Sequence, residues 1–309
     1  MARIGPADPP LRLARYGDVP LTFVTAPRGF DADTTARQRA AILSWQLQPG
    51  TKEIMLVGDE EGIGEFAAEW GMSHVRSVRK SDDGIPLMNS IFQEASKAAQ
   101  YGVLCFINTD ISLPPSWWSV VQHVLPVLVA QEKSFLVAGP RLEFPEGVLF
   151  NPVSDSWSEW SKRNVDGKTY SLPIIDGAID WFIFRRGSYD NLPPFLLGRY
   201  VWDSWMIDSV VKKGWNTVTT FTWDRGPQPA YGMHWHHSRE HQKDKKRGHN
   251  QDRVGNTIIA QKSGGLGDWG RLRGMELGLD WCKSHPSELC LHRRFDYDVL
   301  KKKLPPKTN

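Results

Sequence analysis

Cysteine is scarce in this chain, with three residues in 309, at positions 105, 282 and 290. They form no Cys-x-x-Cys pair, which excludes a cysteine-based zinc framework or a dithiol redox motif. Cys105 lies in an apolar run where burial is expected. Cys282 and Cys290 can pair in an oxidising compartment, but nothing requires it. No asparagine stands in an Asn-x-Ser/Thr acceptor site. Charge of one sign is also missing: the formal net charge is +3, too slight for the whole molecule to be an electrostatic nucleic-acid binder. Long apolar runs are absent too. The longest, residues 120–130, is interrupted by Gln122, His123 and Pro126 and is too short to span a bilayer. Residues 1–20 carry Pro and Arg without an apolar stretch, so no signal peptide is expected. No internal repeat and no clean interdomain linker interrupt the chain. The expectation is a protein of the cytoplasm, with an ordinary 40% hydrophobic and 24% charged residues.

What the chain does have is tryptophan, fourteen residues of it. Indoles fill cores and also stack on sugar faces, and for most of these the core is the expected place. Strand and helix signals alternate from residue 21 to 110. Residues 21–25 and 53–57 read as strands. A helix starts near Thr34 or Thr35, residues 63–70 look helical, and 75–78 suit a short third strand. Pro86 is placed for the first turn of a helix over 86–100, whose apolar positions Leu87, Ile91 and Ala95 share a face. Residues 104–107 form a further strand. The alternation predicts an α/β fold with a mostly parallel sheet flanked by helices. Ser116 is expected to cap a helix running to about Glu132, bent at Pro126. Strands are expected at 135–139 and 180–184, a helix at 202–212, a loop over 226–256 and a frayed tail over 298–309.

The segment Asn108-Thr109-Asp110 ends the strand over 104–107. A carboxylate at the carboxyl end of a core strand in an α/β protein sits where ligands bind. The Asn-x-Asp spacing puts both side chains on one face of an extended segment, where their oxygens can meet a hard divalent cation that holds a diphosphate. Four further segments carry candidate chemistry. Thr25-Ala26-Pro27-Arg28 ends the first strand, where Arg28 can pair with phosphate or stand solvated in a turn. Gly58-Asp59 ends the second, where the carboxylate accepts from a base or ribose or merely turns the chain. Asp203 lies between Trp202 and Trp205 at a helix start, as an N-cap or as a general base whose pKa the indoles raise. Tyr231-Gly232-Met233-His234-Trp235-His236-His237, with His241 beyond, offers imidazoles to Mn or Mg, or to solvent. The run Lys243, Lys245, Lys246, Arg247 reads as a solvated face able to attract phosphate.

In order along the chain, Gly84-Ile85-Pro86-Leu87, Ile107-Asn108-Thr109-Asp110-Ile111, Ile179-Asp180-Trp181-Phe182-Ile183-Phe184, Gly198-Arg199-x-x-Trp202-Asp203-Ser204-Trp205 and His234-x-x-His237 resemble a GT-A-type glycosyltransferase. The nearest pattern is a group of viral, algal and bacterial GT-A-like proteins that includes the first glycosyltransferase domain of a chlorovirus capsid-glycan protein. The resemblance implies a GT-A domain over 21–262, between an N-terminal extension (1–20) and a C-terminal one (263–309). It implies that Asp110 binds Mn2+ or Mg2+, joined by His234 or His237. It puts Asn108 and Thr109 beside the ribose or metal. Thr25, Pro27, Arg28, Asp59, Asp83 and Gly84 are implied around the nucleotide, Arg141 near the donor sugar, and Asp180 near the sugar or the acceptor. Asp203 is implied as the base of an inverting transfer from a nucleoside diphosphate sugar, a UDP-sugar first, to an acceptor hydroxyl. Trp181, Trp202 and Trp205 are expected to wall the acceptor side. Two departures stand out: Asn108 replaces the first carboxylate, and Ser238 stands where the family often has an acidic residue. A noncatalytic sugar- or nucleotide-binding module is the alternative. A nucleotidyltransferase ranks below both, because Arg28-Gly29-Phe30 is a poor version of its Gly-rich loop.

Overall fold

A computed structural model of the chain describes residues 11–12, 17–31, 34–144, 148–164, 179–199, 201–221, 230–235, 246–264, 275, 277–282 and 285–293. The elements in chain order are β1 (Leu11–Arg12), β2 (Leu21–Thr25), α1 (Thr35–Gln46), β3 (Lys52–Val57), α2 (Ile63–Glu69), β4 (Ser73–Val75), α3 (Met88–Ala98), β5 (Val103–Ile107), β6 (Ile111–Ser112), α4 (Ser116–Val121), α5 (Leu125–Ala130) and β7 (Phe135–Phe144). They continue with α6 (Trp157–Asn164), β8 (Ile179–Arg185), α7 (Trp202–Lys212), β9 (Asn216–Thr219), β10 (Gly232–Trp235), α8 (Lys246–Lys262), β11 (Leu277–Cys282) and β12 (His285–Arg293).

The fold is mixed α/β. Its main sheet runs β1-β12-β11-β9-β7-β8-β5-β2-β3-β4. Along this path β8 and β12 run against the other strands, so the sheet is mostly parallel. Every residue of β2 and β5 is buried, as expected of central strands covered on both faces. Alternate side chains divide between two layers. Phe23, Ile54 and Cys105 pack with Ile42, Trp45, Phe66 and Trp117 from α1, α2 and α4. Val24, Met55 and Phe106 pack with Ile91, Trp202 and Met206 from α3 and α7.

Several expected boundaries move. The third strand lies at Ser73–Val75, ahead of residues 75–78. Pro86 does not open a helix: it bridges to Lys80, its carbonyl accepts from Leu197 N at 3.0 Å, and α3 starts at Met88. The single bent helix over 116–132 is two helices, with Ser116 as the first residue of α4 and Pro126 in the first turn of α5. Proline there starts a helix, a position where its missing N–H costs nothing. The strand expected at 135–139 continues to Phe144. Within 226–256, expected as a loop, β10 forms and α8 begins. The chain beyond 263 adds β11 alongside β9, and β12 pairs in turn with β1, so parts of both expected extensions join the sheet. Backbone register puts Cys290 opposite Asp280 and Cys282 opposite His285. Residues 298–309 lie outside the described residues.

Two features of this topology position the site. The reversed strand β8 brings its first residues, Ile179 and Asp180, to the edge where β5 ends. The register of β7 shifts between Ala138 and Pro140, a bulge that turns the strand out of the main sheet. Gly139 permits it, because a Cβ there would lie 2.1 Å from Thr220 Oγ1 and 2.2 Å from the Trp181 ring. The outgoing half of β7 pairs in parallel with β10, which pairs antiparallel with β6, directly after Asp110.

Candidate active site

The small sheet β6-β10-β7 has two unlike faces. Leu142, Phe144, Met233 and Trp235 alternate to one side and pack with Phe150 and Trp160. Arg141, Glu143, Gly232 and His234 take the other side, because side chains alternate along strands. Glu143 and His234 are register partners, and His234 Nδ1 donates to Glu143 Oε2 at 2.5 Å. On the far side of β10, His234 Nε2 lies 3.4 Å from Asp110 Oδ2. Gly232 keeps this spacing: a Cβ on it would lie 2.4 Å from Ile111 Cγ2.

The network runs on from Glu143. Arg141 Nε donates to Glu143 Oε1 at 2.7 Å and Arg141 Nη1 to Asp180 Oδ2 at 2.7 Å. Asn108 Nδ2 donates to Asp180 Oδ1 at 2.6 Å, and Asn108 N donates to the Asp180 carbonyl at 3.0 Å. The chain of contacts therefore leaves Asp110 and returns to Asn108, two residues away. This accounts for the amide at position 108. A carboxylate there would face the carboxylate of Asp180, whereas the amide donates to it.

Electrostatics follow from this crowding. Burial works against the charge on Arg141, but Asp180 and Glu143 outweigh it and raise its pKa. Burial likewise opposes ionisation of Glu143, yet His234 and Arg141 hold its pKa below the ordinary carboxylate value. His234 is pushed up to about 9, because hydrogen bonds to Asp110 and Glu143 overcome the cost of burial. Asp203, in the first turn of α7, rises to about 7, chiefly through burial and then through the nearby charge of Asp180, while Ser204 N and Arg141 pull the other way. Asp203 is thus within electrostatic reach of Asp180 and Arg141. It is not the N-cap, which is Val201. Val201 has φ 93°, a left-handed conformation that a β-branched residue adopts only when its surroundings hold it there.

The expected nucleotide residues follow the ends of β2, β3 and β5, except Asp83 and Gly84, which lie between β4 and α3. Thr25 Oγ1 and Thr109 Oγ1 are 3.1 Å apart, which joins the ends of β2 and β5. Pro27 is buried and Arg28 exposed. The Arg28 backbone is clamped by the buried Gln38 of α1, whose Oε1 accepts from Arg28 N at 2.8 Å and whose Nε2 donates to the Arg28 carbonyl at 3.0 Å. Asp59 is paired with Lys80, whose ammonium also meets Glu60 at 2.9 Å and keeps the Asp59 pKa low. Asp83 and Gly84 form the exposed tip of a turn, with Gly84 at φ 77°. Asn256 of α8 clamps the segment leading to α7 in the manner of Gln38, accepting from Leu196 N at 2.9 Å and donating to its carbonyl at 3.2 Å. Gln122 does the same for Val19, just ahead of β2.

The three tryptophans expected to wall an acceptor site pack inward, a correction to the sequence reading. Trp181 is fully buried, edge-on to Trp117. Trp202 packs on Phe106 and Phe182. Trp205 is buried against Phe195 and donates to the Ser263 carbonyl at 3.2 Å. His237, with His236 and His241, lies outside the described residues. Missed in the sequence were Glu143, Lys80 and Gln38. Only Glu143 left a signal: it is two residues from Arg141, hence on the same face of one strand.

A divalent cation suits this donor set. Asp110 offers hard oxygen and His234 an imidazole nitrogen, and Mg2+ or Mn2+ sites commonly take one or two protein ligands, with substrate phosphates and water as the rest. Among the described residues no three carboxylate, imidazole or thiol groups converge into a complete cage. The neighbourhood also holds four carboxyl groups (Asp110, Glu143, Asp180, Asp203) against Arg141 and His234, and His234 must give up its second proton before its nitrogen can take a metal. A diphosphate arriving there needs additional positive charge. No helix of the described residues is long and apolar enough to cross a membrane.

No family model matches the chain, and no curated protein matches it. Among solved structures it is similar to Staphylococcus aureus TarS residues 1–349, at 11% identity over 40% of this chain and 36% of that one, with a TM-score of 0.31. The same TarS segment in complex with UDP-GlcNAc matches at 12% identity over 40% and 35%, with a TM-score of 0.30. The mannosyltransferase PcManGT from Pyrobaculum calidifontis, in complex with GDP-Man and Mn2+, matches at 9% identity over 82% of this chain and 68% of that one, with a TM-score of 0.44. The match thus spans about a third of the TarS segment. At such identities and TM-scores, function has to be read from the site's own chemistry.

Proposed function

We propose that the chain is a GT-A-type glycosyltransferase that moves a sugar from a nucleoside diphosphate donor, a UDP-sugar first, to an acceptor hydroxyl with inversion at the anomeric carbon. The observation that carries the reading is the polar network Asp110–His234–Glu143–Arg141–Asp180–Asn108 at the carboxyl end of β5. Asp203, whose pKa burial raises to about 7, lies within electrostatic reach of Asp180 and Arg141 in that network. A general base works best when its pKa lies near the working pH. A binding module gains nothing from keeping a carboxylate under such desolvation, which argues against the noncatalytic alternative.

In this reading Asp203 takes the proton from the acceptor hydroxyl as it attacks. Arg141 and Asp180 orient the donor sugar, with Asn108 holding Asp180 in place. Thr25, Pro27, Arg28, Asp59, Asp83, Gly84 and Thr109 border the nucleotide. Lys80, bound to Asp59, supplies a cation at that end. Asp110 and His234 are the residues that would hold Mn2+ or Mg2+, with His237 as the second imidazole. The bound ion would supply positive charge for the leaving diphosphate. The wild-type protein, screened with nucleoside diphosphate sugars and Mn2+, is expected to release nucleoside diphosphate and to bind UDP in a Mn2+-dependent manner by calorimetry. Asp110→Ala is expected to lose the metal-dependent part of that binding. Metal-independent binding unchanged by Asp110→Ala, together with no donor turnover, would overturn the reading.

A further inference from the structure

His234 stands between two carboxylates, and its two sides are not equivalent. On one side Nδ1 donates to Glu143 Oε2 at 2.5 Å, while the other oxygen of Glu143 accepts from Arg141 Nε at 2.7 Å. Both oxygens of Glu143 are therefore engaged by donors, in a half-buried position made by strand register. On the other side Nε2 meets Asp110 Oδ2 at 3.4 Å, a longer contact than the one to Glu143. Asp110 is also the more exposed carboxylate, at 36% against 24% for Glu143. A ligand entering from solvent meets the Asp110 side first.

We infer that Glu143 is a positioning residue. It holds the Nδ1–H of His234, fixes the ring plane, and leaves Nε2 as the nitrogen that turns toward Asp110 and a divalent cation. Arg141 fixes Glu143 in turn, so the imidazole is oriented by the same guanidinium that holds Asp180. This rests on the reading of Asp110 and His234 as the cation-holding pair. Carboxylates behind ligating imidazoles typically change metal affinity about 10–100-fold when removed.

The test uses the full chain with Mn2+ and UDP in the calorimeter, for wild type, Glu143→Ala and Glu143→Gln. Glu143→Ala is expected to weaken Mn2+ binding about 10–100-fold. Glu143→Gln, with one acceptor left for two donors, is expected to fall between it and wild type. If Glu143→Ala does not fold, the nearly isosteric Glu143→Gln carries the comparison alone. The second readout is the imidazole nitrogen spectrum of 15N-histidine-labelled protein loaded with Mg2+ and UDP, with His234 assigned by difference from His234→Gln. Wild type is expected to show an Nδ1–H tautomer, a signature that a purely structural role for Glu143 would not require. An Nε2–H tautomer in wild type, or Mn2+ affinity within about twofold of wild type in both variants, would overturn the proposal while leaving the transferase reading intact. Absence of Mn2+ binding by the wild type would overturn both.

Discussion

The two faces of the small sheet make the most instructive contrast in the molecule. Neighbouring residues of one strand, His234 and Trp235, live in opposite environments. Trp235 packs edge-on to Trp160 and donates to Ser112 Oγ at 2.9 Å, whereas His234 sits among carboxylates. The same holds for Glu143 and Phe144 on β7. Period-two geometry lets three short strands do two jobs. One face supplies the burial that holds the strands down, and the other presents charges that could not pack against each other without partners. The polar face is thus backed by a packed apolar layer.

The largest effect is expected from Asp203→Asn, which removes the proposed base. Transfer should fall about 10²–10⁴-fold while UDP binding by calorimetry stays within about twofold. In wild type kcat/KM should rise with pH through about 7, as Asp203 ionises. Stability should move the other way. A carboxyl raised from 3.8 to about 7 favours the folded state in acid, and that advantage is lost as pH rises through 7. Asp203→Asn should therefore melt above wild type at pH 8 and level with it near pH 4. A melting profile parallel to wild type across that range would remove the case for a perturbed base.

The contrast itself is broken by paired substitutions one residue apart. His234→Ala should cut Mn2+-dependent UDP binding at least about tenfold and cost only about 1–3 kcal/mol of stability, by leaving Glu143 and Asp110 without their shared donor. Trp235→Ala should cost about 3–5 kcal/mol of stability by the cavity it leaves. Calorimetry and thermal melts on both variants would read the two outcomes side by side. Equal losses in either measurement would mean that the faces are not separable. Gly232→Ala comes next. Its Cβ must push Ile111 away, so it should cost about 1–3 kcal/mol and weaken Mn2+ binding as Asp110 and His234 part.

Asn108→Asp is the mildest. It sets two carboxylates at hydrogen-bond distance, one of which should then hold its proton to higher pH. Melting should approach wild type at pH 4 and fall below it at pH 8, by about 1–3 kcal/mol. Stronger Mn2+ binding in this variant would instead make position 108 a cation ligand.

Residues 21–110 were legible because their information is local. Apolar runs of strand length alternate with helical spacing, and Asp59 and Asp110 could be found simply as the residues that follow strands. Asp203 was legible as a carboxylate at a helix start, although the residue that caps the helix, Val201, was not. The polar face was only half legible. Arg141, Asp180 and His234 were singled out, yet the pairing of Glu143 with His234 spans 91 residues and depends on a parallel register that no short window records. Proline misled twice, at 86 and 126, because an isolated Pro marks a boundary without saying which side of it the helix lies. The indoles misled for another reason: residue type fixes the size of a side chain, and tertiary packing fixes whether it turns toward a cleft or away from it.

The amide side chains of Gln38, Gln122 and Asn256 each grip both main-chain groups of a single distant residue, as an adjoining strand would. It follows that the path of the segment around Arg28 is written into α1, and that of the segment around Leu196 into α8. Rewriting those segments while sparing their helices should leave their course unchanged. One altered amide on a helix should let a whole connection wander.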